Sequence, residues 1–147
     1  MADDSLLAWV LAAFHTATLL VPGLALLYAV GALGSLLQGV HTATGFVLYL
    51  SLWGLGWWTT KRWLAATPLA VERETLTAAA TWGAVTGVGF LFVILAVVAV
   101  TLRELLFVAV LALVGTPVAA LVGAVLGVAF ALLDTLLVGL GTRLGTA

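Results

Sequence analysis

Residues 116–140 read TPVAALVGAVLGVAFALLDTLLVGL, and this stretch decides the fold class. A single aspartate interrupts a run that is otherwise uncharged. A helix needs roughly 20 predominantly apolar residues to cross about 30 Å of hydrocarbon, so this run is long enough. The whole chain has the same character, with 147 residues of which 65% are hydrophobic and 7% charged. A soluble domain carries about 25% charged residues. A small soluble domain also leaves much of its surface in water and has no room to hide so much apolar area. A lipid solvent removes that conflict. The expectation is an all-α integral membrane protein, one domain over residues 1–147, located in the cell membrane.

Working outward, three more runs are long enough to cross. The first covers about 6–28, with Asp4 or Ser5 able to cap its start and Pro22 predicting a kink inside it. Residues 31–39 contain Gly31, Gly34, Ser35, Gln38 and Gly39 and read as a hairpin loop. The second run covers about 40–58. A polar stretch follows at 59–74, holding Lys61, Arg62, Glu72, Arg73 and Glu74, with Thr67–Pro68 patterned as a helix start. The third run covers about 75–100. Thr101 and Glu104 have the spacing of a capping box, and Gly115–Thr116–Pro117 combines a stop, a cap and a new start. The apolar piece at about 102–114 would be about 20 Å long as a helix, too short to cross alone. It reads as a broken or re-entrant half-helix near 102–117, and a short fifth crossing is the alternative. The last span is 117–140. The expected architecture is a bundle of four transmembrane helices, with five possible.

Charge sets the orientation, since cytoplasmic loops are enriched in Lys and Arg. Four crossings with both termini in the cytoplasm place Lys61, Arg62, Arg73 and Arg143 inside and only Arg103 outside. Tryptophan prefers the headgroup level, and all six tryptophans fall in the cytoplasmic half of this topology. Trp57, Trp58, Lys61, Arg62 and Trp63 are the expected interfacial anchors. A net charge of −1 gives no basic stripe for nucleic acid. The absence of cysteine excludes disulfides and thiolate chemistry. The Ala, Val, Leu and Gly bias, with one lysine, is the pattern of a GC-rich prokaryotic genome.

Asp134 is the one carboxylate inside a predicted span. A charge near the bilayer centre costs about 2.5 kcal/mol or more, so such residues usually face the bundle interior. His15 lies near the middle of the first span. At the helical rise the two differ in depth by about 6 Å, so they can meet if the first and last spans are neighbours. The pair is a candidate ion-pathway or proton-relay site, or structural glue. His41 repeats the local sequence of His15, as His15–Thr16–Ala17–Thr18 and His41–Thr42–Ala43–Thr44. Paired histidines suggest haem, but these two should differ by about 14 Å in depth. Haem held between two copies of His15 is the remaining cofactor alternative. No other ligand cluster exists, so neither a metal nor any other cofactor is expected.

Gly115, Ala119, Gly123, Gly127 and Ala131 recur at every fourth position, continuing through Thr135 and Gly139. Small residues at this spacing permit close helix contact in lipid. Ala79, Gly83 and Gly87 repeat the pattern on the third span, and Ala8, Ala12 and Thr16 on the first. The ladder serves either packing within the chain or a subunit interface. No nucleophile triad and no phosphate-loop pattern is present, so a non-enzymatic role is favoured. The expected function is channel-like or transporter-like, in an oligomer or with other membrane subunits. The alternatives are a non-catalytic anchor of a larger complex and a haem- or quinone-binding redox subunit.

Overall fold

The computed structural model describes residues 2–39, 41–66 and 72–145. Within them the chain forms five helices: α1 (Ala2–Ala29), α2 (Leu33–Gly39), α3 (Thr42–Ala66), α4 (Arg73–Leu102) and α5 (Leu105–Gly145). Three segments are long and apolar enough to cross a membrane, namely Leu6–Ala29, Arg73–Leu102 and Leu105–Leu140. α3 has 25 residues against 28 in α1, but its tryptophans, glycines and threonines dilute its apolar content. The Thr67–Pro68 helix start lies outside the described residues.

Helix ends follow local chemistry. α1 begins at Ala2, so Asp4 and Ser5 fall within its first turn and not at the cap. It runs through Pro22 and stops at Gly31, whose φ of +71° suits a residue without Cβ. Ala32 N–H donates to Leu27 O at 2.9 Å and Gly31 N–H to Tyr28 O at 3.0 Å, the two bonds of a Schellman end. The stretch read as a hairpin loop then forms the short helix α2. His41 caps α3. Its carbonyl accepts from Thr44 and Gly45, and its Nδ1 accepts from Ala43 N–H at 3.3 Å.

Residues 101–117 depart from the expectation in two respects. Thr101 does not open a helix: it belongs to the last turn of α4, where its hydroxyl donates to Val97 O at 2.8 Å. Arg103, in the left-handed region at φ +56°, closes α4 by donating its N–H to Ala99 O. α5 then runs unbroken from 105 to 145 through Gly115, Thr116 and Pro117. Residues 105–114 of the expected half-helix and the last span are therefore one helix, which crosses a bilayer at most once. Proline removes one backbone donor, but the turn before it is held by packing. A Cβ added at Gly115 would lie 3.2 Å from Leu91 Cδ2 on α4, and Thr116 Oγ1 donates to Ala112 O at 2.6 Å. Tertiary contact beside the proline outweighs the local stop signal.

The two-residue turn at Arg103–Glu104 makes α4 and α5 an antiparallel hairpin, the most extensive contact in the fold. α3 packs against both α1 and α4. The α4–α5 seam is made of small residues in register. A Cβ at Gly83 would meet the Gly123 carbonyl oxygen and lie 2.8 Å from Gly127 Cα. One at Gly87 would meet Ala119 O, and one at Gly127 would meet Ala79 O. Each four-residue step forward on α4 matches a four-residue step back on α5. The backbones touch because no side chains separate them. Elsewhere the buried core is thin: Trp63, Ala79 and Ala131 form its main cluster, with Leu64, Ala78 and Trp82 against it. Large apolar side chains such as Val100, Leu106 and Leu113 point outward.

Candidate functional site

The structure brings His15 and Asp134 together. His15 Nε2 and Asp134 Oδ1 are 3.0 Å apart, joining α1 to α5 across 119 positions of sequence. Asp134 is fully buried at 0% exposure, and the His15 side chain is 15% exposed. Phe130, one turn before Asp134 on α5, stacks on the imidazole at 4.2 Å between ring centres with planes 23° apart. Phe130 thus fixes the ring while Asp134 fixes its hydrogen-bonding edge. An ionised carboxylate only accepts, so in that state Nε2 carries the proton and, with a neutral imidazole, Nδ1 presents a lone pair. Asp134 Oδ2 is buried and has no hydrogen-bond partner among the described residues.

The pair lies in the wall of a half-open cavity of about 380 Å³ lined by residues of α1, α3, α4 and α5. Most of the wall is apolar or aromatic, including Leu91, Ile94, Phe90 and Trp82. Three of its threonines, Thr16, Thr59 and Thr86, bond within the protein. Thr16 donates to Ala12 O at 2.8 Å and Thr86 to Trp82 O at 3.0 Å. Thr59 Oγ1 lies 2.8 Å from Leu55 O and 2.8 Å from Thr86 Oγ1, which ties α3 to α4. The cavity therefore has one strongly polar station among the described residues, the His15–Asp134 pair. Chemically the pair can hold a proton, pass one between ring and carboxylate, or accept a hydrogen bond from a guest.

The other residues singled out in the sequence fall in two places. Gly115, Ala119, Gly123 and Gly127 face α4, and Ala131 is buried in the core cluster. Trp57 lies under Lys61, whose Nζ is 5.9 Å from the ring centre, and Trp58 under Arg62 at 5.7 Å. Trp9 meets Trp53 edge-on and Trp53 stacks on Trp57, so these rings form one band across the first part of α1 and the middle of α3. Trp63 departs from that group, being 6% exposed and packed in the core. His41 stays with the cap of α3, and His15 Nε2 is engaged by Asp134. The contribution of Phe130 was not anticipated, although its spacing of four from Asp134 puts both on one helix face.

Fold and site together define an all-helical bundle with three helices long and apolar enough to cross a membrane and a buried acid–imidazole pair at a half-open cavity. The chain belongs to the DUF7965 family, a family of unknown function, which matches residues 4–147. No curated protein matches it, and no solved structure does.

Proposed function

We propose that this chain is a multi-pass membrane protein of channel or transporter type, with His15 and Asp134 as the polar station of its pathway. α1, α3, α4 and α5 are the four crossings, and α3 crosses despite its diluted hydropathy because α1 and α4 flank it. The outward-facing apolar side chains meet lipid. At 41 residues α5 would extend about 60 Å, roughly twice the hydrocarbon thickness, so it tilts or projects beyond the bilayer. The observation that carries the reading is the placement of a fully buried carboxylate at a cavity walled by all four long helices. A carboxylate in an apolar bundle is costly, and residues of this kind mark ion or substrate paths.

The experiment is reconstitution into liposomes holding a pH-sensitive dye, with a potassium diffusion potential as driving force. Proton flux is expected from the wild type and not from Asp134→Asn, with both proteins giving the same unfolding temperature. Absence of flux from well-folded wild type would turn the assignment toward an anchoring subunit. Should the chain self-associate, it must use faces other than the Gly83–Gly123 seam, which α4 already fills.

Orientation follows from the basic residues and the tryptophan band. Both termini are placed in the cytoplasm, with Trp57, Trp58, Lys61 and Arg62 at the inner headgroups. A reporter fused after Ala147 should be active only in its cytoplasmic form. Activity of a periplasmic or extracellular reporter there would reverse the topology.

A further inference from the structure

We propose that the cavity binds a lipophilic ammonium ion, that is, a protonated amine carried on an apolar body. The proposal rests on the reading of this cavity as the pathway and names the class of guest. The charged station of the wall, the His15–Asp134 pair, offers acceptors. Asp134 Oδ2 is buried without a partner among the described residues, and with the carboxyl ionised and the imidazole neutral, Nε2 donates to Asp134 and His15 Nδ1 is a lone pair. The hydroxyl hydrogens of Thr16 and Thr86 go to helix carbonyls. Among the described residues no lysine or arginine lines the cavity. An anionic guest would meet no lysine or arginine among them and would face the Asp134 carboxylate, whereas an N–H donor completes what the pair leaves open.

Charge points the same way. Asp134 with a neutral imidazole is a net negative centre in apolar surroundings, and a buried charge is strongly disfavoured without a counter-charge. A bare metal ion is a poor candidate for that role. Calcium takes 6–8 oxygen ligands, and no group of three or more His, Asp or Glu residues able to hold a metal exists among the described residues. The remainder of the wall is suited to hydrocarbon, and the faces of Phe90, Phe130 and Trp82 attract cations through their ring quadrupoles. Since His15 is partly exposed and Asp134 is not, the ammonium donates to His15 Nδ1. The carboxylate supplies the balancing charge from behind the ring.

The test uses the full chain in nanodiscs of zwitterionic lipid, with empty nanodiscs as blank. Equilibrium dialysis compares 4-phenylbutylamine with the uncharged 4-phenylbutanol. Saturable binding of the amine is expected, with the alcohol weaker by on the order of tenfold, as the loss of a charge-assisted bond implies. Asp134→Asn should weaken the amine by a similar factor and leave the alcohol unchanged. Equal binding of amine and alcohol to wild type would overturn the proposal, and so would amine uptake no greater than that of empty discs. Both outcomes are read on wild type, so the test survives a misfolded variant. Amine binding without proton flux in liposomes would sink the transport reading and keep this one; flux without amine binding would do the reverse.

Discussion

Replacing Gly123 with leucine should separate α4 from α5 and cost the bundle most of its stability. At this position even the first side-chain carbon has no place. A Cβ on Gly123 would meet the Gly83 carbonyl oxygen and lie 3.0 Å from its carbonyl carbon and 3.2 Å from Gly87 Cα. All three atoms are backbone, so no flexible side chain can move aside. Overpacking a core typically costs about 1–3 kcal/mol, and a rigid backbone obstacle puts this site at or above the upper end. Gly123→Ala should already lower the unfolding temperature, although alanine favours a helix over glycine by about 1 kcal/mol. Gly54→Ala is the matching control. Nothing lies within 4 Å of a Cβ there, so only the helix-propensity gain applies and stability should rise or hold. Thermal unfolding and size-exclusion profiles in mild detergent would measure all three. If Gly123→Leu melts like the wild type, the Gly83–Gly123 seam is not the contact that holds α4 to α5.

The ladder shows what was legible in the sequence. Spacing of four residues on three segments identified faces able to approach closely, and the structure pairs two of them, those of α4 and α5, with each other. Sequence left open whether the partner was inside the chain or in another copy, because a stripe of small residues looks the same in either case. The reading of Asp134 and His15 as possible neighbours came from depth alone. One buried acid needs a polar partner, and one histidine lay at a compatible depth on another span. Residues 101–117 misled for a physical reason. Thr101, Glu104, Gly115 and Pro117 each carry a local end or start signal, and local signals are read one turn at a time. Contacts such as Gly115 with Leu91 act across helices and are invisible to that reading. The cavity was equally out of reach, since its wall combines four helices and its volume depends on how far apart they stand.

Removing the histidine and the aspartate together should harm the fold less than removing either alone, and it should still abolish function. The pair is one hydrogen bond at 3.0 Å with its carboxylate fully buried. Asp134→Leu leaves the imidazole facing hydrocarbon, and His15→Phe leaves the carboxyl with no partner at either oxygen. Breaking a buried pair from one side typically costs about 3–5 kcal/mol, because the remaining group is stranded. Replacing both partners by apolar groups of similar shape can be close to neutral. His15→Phe keeps an aromatic ring to stack on Phe130, as the imidazole does, and Asp134→Leu fills the space of the carboxylate. The double variant should therefore recover much of the lost unfolding temperature, with a coupling in the cycle larger than the cost of either single change, that is, about 3–5 kcal/mol or more. Its behaviour in liposomes then separates the two roles of the pair. If His15 and Asp134 serve only as glue between α1 and α5, the double variant, once folded, performs like the wild type. If they are the polar station of a pathway, it folds and conducts nothing. Wild-type flux in that folded double variant would remove the pair from the mechanism altogether.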